Sequence, residues 1–277
     1  MTPVLLAAGE PTSLGSPEPR LVFGEEPRPD GDAVGRRVLF LDQKPAFELS
    51  WWCGTCQFLF QRLDGANDTL SVPDLRARLV AGIDGLDEQV ITSFAALLGR
   101  GDYLPLLLTV TPRLTHPVKE GDYFAEEQVT TWGVSSFWGL PEYPHTAYYR
   151  TFDTTVNADA HLHEFVVPMV PPAWNDRITV SNYAEILATS TTPTAVAVST
   201  LDVCAPATDT ASTDYYEHWG LTHFLLDGHH KMDGAAQAGR PIRLLSLLSL
   251  DGSLARADQV MRVPHLRSQE PSHRPVR

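Results

Sequence analysis

The chain has 277 residues and a net charge of −13, and 43% of its residues are hydrophobic. This length suits one large or two modest domains with a buried core, and the hydrophobic fraction is ordinary for a globular protein. No apolar run approaches the roughly 20 residues of a membrane span, and residues 1–8 lack the basic segment of a signal peptide. We therefore expect a cytoplasmic protein without a membrane partner. The acidic balance disfavours a protein that neutralises many DNA phosphates, and three cysteines argue against a disulfide framework.

The first part of the chain predicts a mixed, β-rich arrangement. Residues 1–35 are rich in proline, glycine and glutamate, which predicts an irregular segment. From there to Pro171 and Pro172, which mark a boundary, β-prone and helical patterns alternate. The patterns predict strands at 38–41, 46–52, 103–110, 128–132, 146–152 and 161–170, and helices at 56–63, 74–82 and 84–98.

After this boundary a helix is predicted at 175–188, and the chain then predicts a strand–turn–helix–strand unit. Residues 223–226 form a short apolar run that ends at a polar turn, where Asp227 is suited to cap a helix. Gly239 suits the end of this helix, because helices commonly end at a residue with positive φ, which glycine adopts easily. The apolar residues 242–250 predict the second strand.

The turn at residues 227–231 brings an acid, two imidazoles and an amine to the start of this helix. Free backbone N–H groups and the positive end of the helix dipole point outward at such a position, which can bind an anion. The alternative is a well-capped loop whose histidines are solvated. Two adjacent histidines and a lysine are more than capping requires, so the pattern favours an anion site.

The sequence around this turn resembles the ParB/sulfiredoxin-like superfamily, whose members carry a strand ending in Asp-Gly-His-His-Arg or a close variant. The direct matches are Asp227, Gly228, His229, His230, Ala235, Ala236 and Gly239. Lys231 replaces the usual arginine, which keeps the charge but loses the planar fork. The resemblance covers roughly residues 178–255, with residues 194–202 as the family's earlier strand. In that superfamily, which includes DNA-partition proteins, sulfiredoxin and free-serine kinases, the turn typically binds the phosphate of a nucleotide or nucleic acid.

The resemblance implies roles for the residues of the turn. Gly228, His229, His230 and Lys231 are the expected phosphate-binding residues, and Asp227, His229 and His230 are the catalytic candidates. A kinase needs a carboxylate to orient the accepting hydroxyl, and Asp227 is placed for this task.

We therefore predict a phosphotransferase-like enzyme, such as a small-molecule kinase, that binds a nucleotide or phosphorylated small molecule and uses ATP or ADP with Mg²⁺. One alternative is a ParB-like DNA-binding or regulatory protein, which the net charge disfavours. Another is a metal- or thiol-dependent protein built on Cys53 and Cys56. The sequence does not predict the oligomeric state of the protein.

The patterns together predict an α+β fold, with a β-rich N-terminal part and a C-terminal ParB/sulfiredoxin-like α/β module. The predicted regions are an irregular segment at 1–35, a mixed, β-rich region at 36–172, the module at 173–255 and a flexible tail at 256–277. The tail is predicted to be flexible because it is rich in proline, serine and histidine.

Cys53 and Cys56 form a CxxC sequence after a predicted strand, and three interpretations stay open. A helix start lowers thiol pKa, so the pair is a candidate redox site that superficially matches thioredoxin. In the second interpretation the pair is half of a zinc site, which Cys204 and a histidine would complete. The third interpretation is that both thiols pack in the core.

His161 and His163 lie two residues apart on a predicted strand, so their rings share one face while Glu164 points away. Metal sites use this geometry, but a solvated strand face is the interpretation that we favour. Glu185, Asp202 and Glu217 are further acids that we expect to be caps or solvated surface charges.

Overall fold

The computed structural model describes residues 4–27, 35–51, 55–132, 144–188, 192–206 and 214–274. Within these ranges the protein has the predicted mixed α+β fold. None of the helices in the described ranges combines the length and the apolar character that crossing a membrane requires.

The secondary structure of the described residues includes thirteen strands, seven α-helices and two short 3-10 helices, Pro73–Leu75 and Pro172–Trp174. The strands are β1 (Leu5–Ala8), β2 (Thr12–Leu14), β3 (Leu21–Glu26), β4 (Arg36–Leu41), β5 (Lys44–Leu49), β6 (Phe60–Arg62), β7 (Gly101–Val110), β8 (Arg113–Thr115), β9 (Tyr148–Asn157), β10 (Ala160–Pro168), β11 (Thr194–Cys204), β12 (Glu217–Asp227) and β13 (Ile242–Ser249). The helices are α1 (Arg76–Ala81), α2 (Glu88–Ala95), α3 (Glu127–Trp132), α4 (Arg177–Ala188), α5 (His229–Ala238), α6 (Ala257–Val260) and α7 (Val263–Arg267).

A nine-stranded sheet forms the centre of the molecule, in the order β1-β7-β13-β11-β12-β10-β9-β8, with β2 also paired to β7. Strands β11, β12 and β13, which come from the predicted 173–255 module, occupy the middle of this sheet. They are hydrogen-bonded on one side to β7 and on the other to β10, both from the 36–172 region. The two regions therefore share one continuous sheet.

Both faces of the large sheet are buried, because strand side chains alternate between the two faces and each face has its own cover. On one face Phe165 and Phe224 pack with the smaller sheet, β3-β4-β5-β6, and with helices α1 and α2. On the other face Leu225 packs with Met232 of α5 and Leu266 of α7. Strand β10 is buried along its whole length, so its histidines, His161 and His163, are buried as well.

Two predicted elements differ from the structure. Residues 128–132 are helical, although the sequence predicts a strand from their β-branched residues. The hydroxyls of Thr130 and Thr131 bond the carbonyls of Glu126 and Glu127 one turn earlier, and Gln128 donates to the Phe58 carbonyl oxygen at 2.8 Å. These contacts override the intrinsic preference. The predicted helix at 56–63 instead contains strand β6, which pairs with β5.

The two ends of the chain also contain more structure than their composition predicts. The first 35 residues contribute strands β1, β2 and β3. In the expected flexible tail, helices α6 and α7 pack on the large sheet, and Arg267 is fully buried. Its guanidinium Nε lies 3.0 Å from Glu164 Oε2, so an ion pair holds α7 in place.

Candidate functional site

The turn at residues 227–231 has the predicted strand–turn–helix–strand setting, between β12, α5 and β13. Gly228 has φ of +100°, a conformation that side chains rarely adopt, and a Cβ at this position would lie 2.7 Å from the Ala195 Cβ. Glycine is therefore required both by the turn and by the neighbouring strand. Gly239 ends α5 with φ of +58°, as the sequence predicts.

The helix start differs from the prediction in one respect, because Gly228 and not Asp227 occupies the capping position. The Asp227 carboxylate instead accepts a hydrogen bond from Lys231 Nζ at 2.9 Å. Lys231 Nζ also donates to the Thr194 carbonyl oxygen at 2.9 Å. Burial lowers the pKa of Lys231, and the Asp227 charge opposes this effect. The lysine thus joins the end of β12 to the start of β11.

The two histidines of the turn accept hydrogen bonds from a loop that precedes α4. His229 is buried, and its Nε2 accepts from the Met169 backbone N–H at 3.1 Å. Burial, with a smaller contribution from His230, lowers the pKa of His229 to about 3. His230 is half-buried, and its Nε2 accepts from the Asp176 N–H at 3.1 Å. The alternative of two solvated histidines therefore fails for His229.

Asp233, one turn further along α5, holds the same loop. Its Oδ2 accepts from Asn175 Nδ2 at 3.0 Å and from Arg177 Nη2 at 2.9 Å. Contacts from His229, His230 and Asp233 thus fix the loop against α5. These side chains therefore have a structural role that does not depend on a ligand.

What the turn still offers to a ligand is mainly backbone. In the described part of the chain, α5 begins without a side-chain cap, and the N–H groups of its first turn have no acceptor inside the helix. Asp227, Gly228 and His230 are partly exposed at this point. The arrangement suits an anion that receives hydrogen bonds from backbone N–H groups at the positive end of the helix dipole.

Of the CxxC pair, Cys53 lies outside the described residues. Cys56 is half-buried, and Cys204 is buried opposite His218 at the end of β11. Phe58, two residues after Cys56, occupies the space beside Gly220 near the start of β12. The redox and zinc interpretations stay predictions, and no group of three metal-binding side chains is found in the ranges that the structure describes.

Phe58, two residues after Cys56, and the turn lie near opposite ends of β12. At about 3.3 Å per residue, the seven steps from Gly220 to Asp227 span about 23 Å. One shared active site is therefore excluded by geometry for Cys56 and the turn.

The expectation of a solvated face for His161 and His163 is wrong. The two side chains are only 1% and 3% exposed, because helix α3 and residues 214–216 and 273–274 cover this part of β10. They line a cavity of about 130 Å³. Burial, reinforced by neighbouring cationic groups that include Arg274, lowers the pKa of His161 to about 4. The apolar run that follows Glu164, at residues 165–170, is a sign in the sequence that this strand is buried on both faces.

Two further acids are buried in ion pairs that the sequence does not reveal. Asp202 on β11 binds Arg37 on β4 with two hydrogen bonds of 2.8 and 2.9 Å, which corrects the expectation of a surface charge. Glu164 points to the opposite face from His163, as predicted, where it meets Arg267 and His223. Burial raises the pKa of Glu164, but Arg267 and His223 outweigh this effect and bring it to about 2. Asp202 and Glu164 therefore hold elements of the fold together.

Comparisons of the chain with protein-family models, with curated proteins and with solved structures found no match. The start of α5 and the histidine cavity beside α3 are two places where the described residues offer unused hydrogen-bonding groups. We base the two functional proposals on these two places.

Proposed function

We propose that this protein is an enzyme that binds a nucleotide or another phosphorylated small molecule at the turn of residues 227–231. The proposal includes the ParB/sulfiredoxin-like character of the strands and helix around this turn. A small-molecule kinase that uses ATP or ADP with Mg²⁺ is the form of the proposal that we favour.

The observation that carries this proposal is the uncapped start of α5 at Gly228 within the described residues. The first-turn N–H groups are directed at the position where a phosphate would receive several hydrogen bonds. Since His230 accepts a hydrogen bond at Nε2, its ring proton is at Nδ1, where it can be donated to a phosphate oxygen. The hydrogen bonds of His229 and Lys231 give these two residues a positioning role.

The Asp227 carboxylate has one oxygen bound to Lys231, and its partial exposure makes the other accessible to a ligand. One carboxylate together with substrate phosphates is a donor set that Mg²⁺ commonly takes, so the residues present fit this ion. In the proposed reaction Asp227 orients the accepting hydroxyl, and Mg²⁺ supplies neutralisation of phosphate charge. The net charge of −13 favours a small phosphorylated partner over a DNA backbone.

Isothermal titration calorimetry with ATP, ADP and inorganic phosphate, each with Mg²⁺, tests the proposal. We expect His230→Ala to weaken phosphate-dependent binding at least tenfold, since a hydrogen bond to a charged group contributes about 1.5–3 kcal/mol. The fold should tolerate this change because Asp176, the partner of His230, is exposed to water.

His265→Ala is the matched control, because His265 is an exposed histidine on α7. Equal binding by both variants, or the absence of binding by the unaltered protein, would contradict the proposal. A titration with duplex DNA at two salt concentrations tests the alternative of a DNA-binding protein, which predicts strongly salt-dependent binding.

A further inference from the structure

His161 and His163 have no hydrogen-bond partner for any of their four ring nitrogens among the described residues, although both side chains are almost fully buried. A buried polar atom without a partner costs about 1–3 kcal/mol. A third buried histidine nearby, His218, does have partners for its ring nitrogens. Its Nδ1 bonds the Tyr123 hydroxyl and its Nε2 bonds the Thr131 hydroxyl. The two unpartnered rings line the cavity, so its contents are their natural partners.

The acidic and basic side chains of the cavity wall are paired, except Glu126, whose Oε1 accepts a hydrogen bond from the Gly121 backbone N–H. The pairs are Arg150 with Glu127 at 2.6 Å, Arg274 with Asp214 at 3.3 Å and His273 with Asp153 at 2.6 Å. A strongly anionic or cationic ligand would therefore have to compete with an existing partner. Glu127 Oε2 is the one carboxylate oxygen of these pairs that is buried without a partner in the described structure.

Neutral imidazole has one N–H donor and one acceptor nitrogen. The unused groups are therefore two donors and two acceptors from the rings, with one more acceptor from Glu127. Hydroxyl groups match this set, because each donates one hydrogen bond and accepts others. The ring of Tyr216 on the cavity wall offers an apolar surface for C–H groups.

The cavity volume of about 130 Å³ suits a small ligand. An apolar cavity of about 150 Å³ holds a benzene-sized molecule with six non-hydrogen atoms. A metal ion fits less well, because the described residues contain no group of three metal-binding side chains and Arg274 lies beside the rings.

We propose that this cavity is a binding site for a small neutral polyol of about six non-hydrogen atoms, held by hydrogen bonds to His161 and His163. The site is separate from the turn of residues 227–231. His161 pairs in register with His218, and nine steps along β12 from His218 to Asp227 span about 30 Å.

The experiment is an NMR titration of the full-length protein, labelled with ¹⁵N in histidine, with glycerol as the probe. We expect glycerol to shift the imidazole signals of His161 and His163 with a millimolar dissociation constant, and to leave the signal of the exposed His265 unchanged. In His163→Phe, the apparent affinity should fall at least tenfold. Phenylalanine suits this position because the ring of His163 already lies parallel to that of Phe165, at an interplanar angle of 17°. If this variant does not fold, His161→Leu serves the same purpose.

Acetate, inorganic phosphate, methylammonium and Zn²⁺ are the competing probes. Stronger binding of acetate, phosphate or methylammonium than of glycerol would overturn the neutral class of ligand. Tight Zn²⁺ binding that glycerol cannot displace would replace the polyol with a metal. Unchanged imidazole signals with glycerol would mean that the cavity holds ordered water only, which would also overturn the proposal.

Discussion

The two ends of strand β12 use buried histidines in opposite ways. At the Asp227 end, the ring of His229 accepts a hydrogen bond from the Met169 N–H. At the Glu217 end, His161 and His163 on the adjacent strand are buried to a similar degree, but the described structure gives their rings no partner. His229 thus fixes the fold at one end, whereas at the other end His161 and His163 keep unused hydrogen-bonding capacity beside the fully bonded His218.

This difference shows how binding candidates can be separated from structural residues without homologues. A side chain whose hydrogen bonds are all made within the protein has little left for a ligand, whereas a buried group with none is costly unless something binds it. At the turn, the unused capacity lies mainly in the backbone of α5. In the cavity, it lies in the side chains.

Acidification is expected to have the largest effect, and both ends should be sensitive, because burial also lowers the pKa values of His163 and His218 at the cavity end. Burial holds the pKa of His229 at about 3 and that of His161 at about 4, against an ordinary value of 6.5. Below pH 6.5 the unfolded chain takes up protons that the folded protein does not, so the free energy of unfolding falls as the pH falls. The loss reaches about 5 kcal/mol for His229 by pH 3 and about 3 kcal/mol for His161 by pH 4.

Urea unfolding between pH 7 and pH 4 measures this loss. His229→Gln keeps a hydrogen-bond acceptor but cannot be protonated, so we expect a clearly shallower dependence on pH. An identical pH dependence in the variant and the unaltered protein would show that His229 is not the group responsible.

A pair of phenylalanine variants tests the comparison directly at neutral pH. His229→Phe leaves the buried Met169 N–H without an acceptor, so we expect a loss of about 2 kcal/mol in the free energy of unfolding. His163→Phe removes two unpartnered nitrogens, so its stability should stay within about 1 kcal/mol of the original or rise. Chemical denaturation of both variants gives the answer, and equal losses would remove the distinction between the two ends.

Lys231 provides a smaller test confined to the turn. Lys231→Met removes the partner of Asp227 and of the Thr194 carbonyl, and we expect a loss of about 1–2 kcal/mol. The value is moderate because Asp227 is partly exposed and water can replace the lysine. In a double-mutant cycle with Asp227→Asn, the two losses should not add. Additive losses would mean that the ion pair contributes nothing measurable.

The sequence predicts the local structure of the turn well, because local rules decide it. The apolar run before Asp227 and the helix end at Gly239 follow from residue type and spacing alone. The cap does not, since Asp227 is drawn away by Lys231, a contact within the turn that competes with capping.

The rest of both sites depends on contacts between distant parts of the chain. Met169 lies sixty residues before His229, and nothing in the local pattern indicates their hydrogen bond. The burial of His161 depends on residues 273–274, which the composition of the tail predicts to be flexible. Sequence rules are applied to one element at a time, so they cannot predict that a distant element buries it.

The ion pair between Arg37 and Asp202 has a consequence for how the protein comes apart. It joins β4 of the small sheet to β11 in the middle of the large sheet, and both side chains are about 2% exposed. If the small sheet lifted away alone, the pair would break, which costs about 3–5 kcal/mol for a buried pair. The two sheets should therefore melt in a single cooperative transition, and amide hydrogen exchange in β4 should be as slow as in β11.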